Sequence, residues 1–155
     1  MNTIAVVDTT VLCRLLGVFD SAEEQVAIRK SYLERIAADE RMFLPFAAIL
    51  ETRNHIGKMA DGNFRRLCAT KLRDLVLMAR KVPAEVPLLP LGDWRDEDIE
   101  SFLAQFPDWV GKASGLGDLT IHCDWERLCK VNAGRRVYIW TLDKHLAAFD
   151  RGLAI

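Results

Sequence analysis

The amino-acid sequence predicts an α/β fold: one domain over residues 1–155, built on a central, mostly parallel β-sheet with α-helices on both faces. Three short apolar segments, residues 4–8, 42–45 and 137–141, have the length and composition of buried strands. Stretches with helical spacing separate them, and strands joined through helices pair in parallel. The 155 residues contain no internal repeat or linker, which predicts a single hydrophobic core.

The first half of the chain predicts the element order β-α-α-β-α. After the strand at residues 4–8 comes a short helix over residues 11–18. Ser21 and Glu24 form a capping-box pattern, which begins a helix that should end near Asp39. Residues 42–45 form a buried strand closed by Pro45, and the next helix begins at Phe46.

The second half continues this alternation. We expect a helix from residue 62 or 63 to residue 80, then an edge strand or extended connection over residues 86–91. A helix over 96–106, a loop with three glycines over 107–117, a helix over 118–131, the strand at 137–141 and a helical turn over 145–149 complete the chain. The helix that ends at residue 80 is expected to bury four leucines: Leu67, Leu72, Leu75 and Leu77.

Composition narrows the class of protein. Half of the residues are hydrophobic and 28% are charged, which argues against disorder and coiled coil. The apolar stretches are far shorter than a membrane span, and residues 1–20 lack a basic start before their apolar run. We therefore expect a cytoplasmic protein with no membrane partner.

Charge is unevenly distributed although the net charge is only −1. Residues 53–81 contain eight basic and two acidic residues, a balance of +6, whereas residues 82–108 contain seven acidic and one basic, a balance of −6. One face could attract phosphates while another repels them, or both could simply be solvated helical faces.

The cysteines predict no metal site. Cys13, Cys68, Cys123 and Cys129 contain no CxxC pair and lie in apolar contexts, which is typical of small buried hydrophobic residues. A zinc site would recruit His122, Cys123 and Cys129, but adjacent helical residues point about 100° apart and should not face one ion.

Two carboxylates follow strands of the predicted sheet. Asp8 ends the first strand and precedes Thr9 and Thr10, and Asp143 follows the strand that ends at Thr141. Because parallel strands point their carboxyl ends to one edge of a sheet, these groups should converge there. Asp143 has a second interpretation as the N-cap of the last helical turn.

Two further carboxylates lie in the first turns of helices that begin near the same edge. Glu51 shares one helix face with Asn54, His55 and Lys58. Asp118 projects beside an apolar stripe, where an uncompensated charge is costly, although acidic residues are also favoured in first turns. Carboxylates that share a pocket predict a divalent cation, and oxygen ligands favour Mg²⁺ or Mn²⁺. Phosphodiester hydrolysis is the natural reaction of such a site.

This order of motifs resembles the PIN domain, the nuclease fold of VapC-type toxins. The resemblance spans residues 4–149 and is carried by Val7-Asp8-Thr9, Glu51, Gly117-Asp118-Leu119 and Thr141-Leu142-Asp143. It implies that Asp8, Glu51, Asp118 and Asp143 hold Mg²⁺ or Mn²⁺ as catalytic ligands, assisted by the hydroxyls of Thr9, Thr10 and Thr141. The interval between Glu51 and Asp118 is longer than in compact members, and the acidic stretch at 93–100 is an elaboration.

The resemblance also implies a substrate and partners. Members are metal-dependent ribonucleases, often homodimeric, and the toxins of VapBC-like type II systems are inhibited by a cognate antitoxin protein. We expect Arg53, Lys58, Arg65 and Arg66 to bind the RNA backbone, His55 to be a surface or substrate-contact residue, and His122 to be a hydrogen-bonded histidine at the edge of the core.

Three other classes of protein share part of this pattern. A phosphatase of the haloacid dehalogenase type needs a second aspartate two residues after the first, where this chain has Thr10. A response-regulator receiver needs an acidic pair at its first strand and a phosphorylated aspartate on a middle strand, and neither pattern is visible. The remaining alternative is a non-catalytic PIN-like module that binds RNA or protein.

Overall fold

The computed structural model describes residues 3–19, 21–111 and 115–152. Its strands are β1 (Thr3–Val7), β2 (Arg41–Leu44), β3 (Leu88–Pro90), β4 (Arg136–Trp140) and β5 (Asp150–Arg151). Its helices are α1 (Thr9–Leu16), α2 (Ala22–Ala37), α3 (Phe46–Gly57), α4 (Gly62–Ala79), α5 (Asp96–Val110) and α6 (Leu116–Val131), with a 3₁₀ turn at Leu146–Ala148.

The sheet has the strand order β3-β2-β1-β4-β5 and is parallel except for the antiparallel pair of β4 and β5. From β1 the chain moves outward to β2 and β3, then crosses back to place β4 on the other side of β1. The carboxyl ends of β1 and β4 therefore flank the topological switch point, where open α/β sheets bind ligands. Val7 and Trp140 lie opposite each other at this end.

The predicted fold class is confirmed by the burial of the central strand. Residues from Ile4 to Val7 are at most 1% exposed, so both faces of β1 are covered. Leu12 of α1 and Ile121 of α6 are fully buried in the same core. This near-continuous apolar run is typical of a parallel strand that helices cover on both sides.

Two local predictions are corrected by packing. The expected loop over residues 107–117 is wrong at its start, because α5 continues through Pro107 to Val110. Trp109 is buried and its ring lies 5.1 Å from that of His122, which holds the last turn of α5 against α6. Residues 112–114 of that loop lie outside the described residues. The short strand β5 was not predicted.

The buried face of α4 also differs from the prediction. Leu72 is buried and Leu75 is partly buried, but Leu67 and Leu77 are 48% and 55% exposed. The buried stripe runs through Cys68, Leu72 and Ala79, so the other two leucines point away from it. None of the helices in the described ranges is both long enough and apolar enough to cross a bilayer.

Candidate active site: an acidic cleft at the switch point

All four sequence-predicted carboxylates line one cleft of about 400 Å³ at the carboxyl ends of β1 and β4. We call it the acidic cleft, and it is lined by Asp8, Thr9, Thr10, Cys13, Arg14, Phe19, Glu51, Asn54, His55, Lys58, Gly115, Asp118 and Asp143. The strand ends deliver Asp8 and Asp143, while α3 and α6 deliver Glu51 and Asp118 in their first two turns. The chain thus brings together groups up to 135 positions apart in sequence.

Hydroxyl groups hold Asp8 in place at the base of the cleft. Its Oδ2 accepts hydrogen bonds from the Thr10 hydroxyl at 2.7 Å and the Thr141 hydroxyl at 2.7 Å. The backbone N–H of Thr10 also donates to this oxygen, because Asp8 is the N-cap of α1. The Thr141 hydroxyl oxygen in turn accepts from the N–H of Asp143 at 2.9 Å. Thr10 and Thr141, two of the three predicted hydroxyl residues, therefore connect the ends of β1 and β4 through the carboxylate of Asp8.

Glu51 is positioned by its contacts with α1 and α6. Thr9, the third predicted hydroxyl residue, donates to its Oε2 at 2.6 Å. On the opposite side the carboxylate lies against the backbone of Gly117, where a side-chain Cβ would stand 2.6 Å from Oε2 and closer still to Oε1 and Cδ. Atoms do not approach a real Cβ within 3.0 Å, so the glycine makes room for this carboxylate. A glycine at position 117 therefore allows the Glu51 carboxylate to occupy this place in the cleft.

The carboxylates share one electrostatic environment. Burial, followed by the negative charges of Asp8, Glu51 and Asp143, raises the pKa of Asp118 from 3.8 to about 6. A hydrogen bond with the Gly115 backbone acts the other way. Like charges that disfavour each other's ionisation are the electrostatic signature of a site built to neutralise them with a cation.

Asp143 accepts hydrogen bonds from a backbone turn and also lies at the acidic cleft. Its Oδ1 accepts from the backbone N–H groups of His145 at 2.7 Å and Leu146 at 3.3 Å, so it caps the 3₁₀ turn. The same residue lines the acidic cleft. Capping occupies one of the two carboxylate oxygens, and fixes the direction in which the other projects.

The potential metal-ligand atoms of the acidic cleft are more widely spaced than those of a second cluster in α6. Among the described residues, no three of the four cleft acids have ligand atoms that all lie within 4.8 Å of one another. An ion in the cleft would thus reach some carboxylates through water, as Mg²⁺ usually does. The atoms that do meet this spacing belong to His122, Cys123 and Glu126.

His122 and Cys123 are adjacent in α6, and their ligand atoms lie within 4.8 Å of each other and of Glu126. Cys129, the third residue of the considered zinc set, is not part of this cluster. The amide of Gln105 donates to both Cys123 Sγ and Glu126 Oε2. Burial and neighbouring carboxylates raise the pKa of the Cys123 thiol to about 12, which keeps it protonated at neutral pH.

Only one of the four predicted RNA-binding basic residues lines the acidic cleft. Lys58 lines the acidic cleft, whereas Arg53, Arg65 and Arg66 are exposed and are not among its described lining residues. The cation that sequence analysis missed is Arg14, which lines the cleft and donates to the Thr10 carbonyl at 3.2 Å. Arg14 is the lone basic residue of α1 and lies one helical turn after Thr10, and this position could have predicted that it lines the same cleft.

The histidines have different surroundings. His55 is exposed at the cleft, with its ring 5.3 Å from that of Phe19. His122 is buried, and its ring lies 4.3 Å from Phe149 and 5.6 Å from Trp125. Its place at the edge of the core is as predicted, although no described contact tests the predicted hydrogen bond.

A larger cavity, of about 520 Å³, lies elsewhere and is mostly apolar. Its walls include Phe46, Leu50, Val76 and Trp94 from α3, α4 and the segment after β3. Its lining includes Asp93, Asp124 and Thr120, but it contains none of the four sequence-predicted carboxylates. Neither a protein-family model nor a curated protein matches this chain.

Proposed function

We propose that the protein is a Mg²⁺- or Mn²⁺-dependent endoribonuclease that hydrolyses RNA phosphodiesters. The observation that carries this proposal is the convergence of Asp8, Glu51, Asp118 and Asp143 on one cleft at the switch point of the sheet. Burial of Asp118 beside three other carboxylates raises its pKa to about 6, so this cluster is costly to assemble without a compensating cation. An all-oxygen set of donors favours a hard divalent metal over zinc.

The residues of the cleft fit such an ion. Asp8, Glu51, Asp118 and Asp143 would hold it, directly or through water. When bound, the metal supplies positive charge that stabilises the phosphodiester transition state and activates a water for attack. The Gly117 backbone leaves the space that the Glu51 carboxylate requires.

The other residues of the cleft would have two tasks: to orient the carboxylates and to bind the substrate. The hydroxyls of Thr10 and Thr141 fix the orientation of Asp8, and that of Thr9 fixes Glu51. Arg14 and Lys58, which line the same cleft, would bind phosphate oxygens and so offset the repulsion between RNA and the carboxylates. Arg53, Arg65 and Arg66 would contact more distant phosphates.

We further propose that this nuclease is the toxin of a VapBC-like type II system. The support is the resemblance of the motif order to the PIN domain, from Val7-Asp8-Thr9 to Thr141-Leu142-Asp143. On this proposal the protein works in the cytoplasm as a homodimer, and a cognate antitoxin protein inhibits it.

The test compares purified wild-type protein with Asp8→Asn on structured and single-stranded RNAs, with Mg²⁺ or Mn²⁺ and then with chelator. We expect metal-dependent cleavage that falls at least about 100-fold in Asp8→Asn, since a metal ligand is lost. The matched control is Asp39→Asn, an exposed aspartate at φ 55 where asparagine is tolerated, which should retain wild-type activity. The absence of metal-dependent cleavage, or equal rates for Asp8→Asn and wild type, would refute the proposed metal-dependent nuclease.

A further inference from the structure

The wall of the acidic cleft formed by α3 adds a different chemistry to the carboxylates. α3 presents Glu51, Asn54, His55 and Lys58 at intervals of three and four residues, and all four line the cleft. The face that positions one acidic group therefore continues into an amide, an imidazole and an ammonium. Each of these lies within two helical turns of the candidate metal ligand Glu51.

Two aromatic rings meet on this wall. The His55 and Phe19 ring centroids are 5.3 Å apart with the planes at 69°, an edge-on arrangement. Phe19 packs against the core on its other side, whereas His55 is exposed. The core contact holds Phe19, and Phe19 supports the imidazole in an otherwise polar cleft. A supported, exposed ring of this kind offers a face to a planar aromatic ligand.

A cation lies beside the same rings. The Arg14 guanidinium is 4.6 Å from the centroid of Phe19. It is held there by hydrogen bonds to the Glu24 carboxylate at 2.9 Å and the Thr10 carbonyl at 3.2 Å, and it remains 18% exposed. Thr10 also contacts Asp8, so Arg14 joins the ring wall to the carboxylates. A ligand with one planar ring and an adjacent phosphate fits this combination of groups.

We propose that His55 and Phe19 form a stacking subsite for one unpaired nucleobase of the substrate, next to the carboxylates. Asn54 would hydrogen-bond with the edge of that base, and Arg14 would bind the adjacent phosphate. A base inside a duplex is stacked on its neighbours and cannot reach a side-chain ring, so the substrate is a single strand. The inference rests on the proposed function for the strand being RNA, since single-stranded DNA offers the same base and phosphate.

The first measurement is binding, and it is independent of cleavage. A short RNA with one 2-aminopurine is titrated with the Asp8→Asn protein and with the same protein also bearing His55→Ala or His55→Phe. We expect quenching of the fluorescent base that is lost with His55→Ala and kept with His55→Phe, with affinity about tenfold weaker in the former. Phe46→Ala is the control, because it removes an exposed aromatic ring from the same helix outside the cleft.

The second measurement is cleavage by the otherwise wild-type protein. His55→Ala should raise KM for single-stranded RNA about tenfold with little change in kcat. His55→Phe, which keeps an aromatic ring, should have a KM close to that of the wild type. Duplex RNA should compete at least about tenfold less well than a single strand, and a single-stranded DNA arm tests whether the sugar is read. Equal competition by duplex, or equal quenching and KM for His55→Ala and wild type, would overturn the subsite.

The two proposals can fail separately. If no RNA is cleaved but the 2-aminopurine is quenched in a His55-dependent way, the nuclease fails and the base subsite stands. If RNA is cleaved in a metal-dependent way but His55→Ala changes neither quenching nor KM, the nuclease stands and the subsite fails. Circular dichroism and thermal unfolding of each variant establish that both comparisons are made on folded protein.

Discussion

Replacing Gly117 with alanine tests whether the placement of Glu51 matters to the acidic cleft. A Cβ at this position would lie 2.6 Å from Glu51 Oε2 and closer to Oε1 and Cδ, whereas real Cβ contacts are not shorter than 3.0 Å. The carboxylate is the end of a flexible side chain, so it should rotate away while the backbone stays in place. Its hydrogen bond from Thr9, 2.6 Å long, would be lost with that rotation.

The expected effect on metal binding is large compared with the effect on stability. A displacement on the order of 1 Å is several times the tolerance of about 0.2 Å on metal–ligand distances. We expect Mg²⁺ affinity and the rate of RNA cleavage each to fall about 10- to 100-fold, as for lost support of a metal ligand. Alanine is a better helix former than glycine by up to about 1 kcal/mol, so the free energy of unfolding should stay level or rise.

The assay combines Mg²⁺ titration by calorimetry, cleavage rate against Mg²⁺ concentration, and urea denaturation. Gly57→Ala is the matched control: it is another helical glycine, with no atom within 4 Å of the added Cβ, and should retain wild-type affinity. Glu51→Asp should weaken the wild type but add little in the Gly117→Ala background, because the two changes act through one carboxylate. A stable Gly117→Ala protein with wild-type Mg²⁺ affinity would refute this reasoning.

Two further predictions concern single interactions. Thr9→Val removes the hydroxyl that donates to Glu51 and should lower the cleavage rate about tenfold. Thr9→Ser retains a hydroxyl and should retain the wild-type rate. Equal rates for the two variants would contradict the positioning role of Thr9. Asp124 accepts from the Trp94 indole, and its burial raises its pKa from 3.8 to about 6. Because the folded protein then binds this proton more tightly than the unfolded chain, the free energy of unfolding should fall by about 2 kcal/mol between about pH 4 and pH 7, relative to Asp124→Asn. Urea denaturation across that range measures the difference, and parallel pH profiles of the two proteins would show that the carboxyl is not perturbed.

Much of the fold could be predicted because the relevant signals are local. The apolar run from Ile4 to Val7 predicted a central strand that helices cover, and that strand is buried on both faces. Ser21 caps α2 through the N–H of Glu24, as its pattern predicted. The side chain of Glu24, however, pairs with Arg14 at 2.9 Å. That partner is ten positions away in sequence and belongs to another helix, so the capping pattern contained no information about it.

The failures have a common physical cause. Leu67 and Leu77 were expected to be buried because leucine is apolar, but burial depends on which face of α4 meets its neighbours. Pro107 was expected to end α5, yet Trp109 packs on His122 and keeps the helix going to Val110. In both cases a tertiary contact outweighed a local preference.

The sequence by itself determined which acidic residues meet. Asp8 and Asp143 follow strands, Glu51 and Asp118 follow helix starts, and parallel β-α connections direct all of these positions to one edge of the sheet. Only the tertiary structure decided how they are held: Gly117 against Glu51, Thr141 on Asp8, and Arg14 beside Phe19. Those contacts depend on how closely separate helices and strands approach each other, which is a property of three-dimensional packing that local residue patterns do not encode.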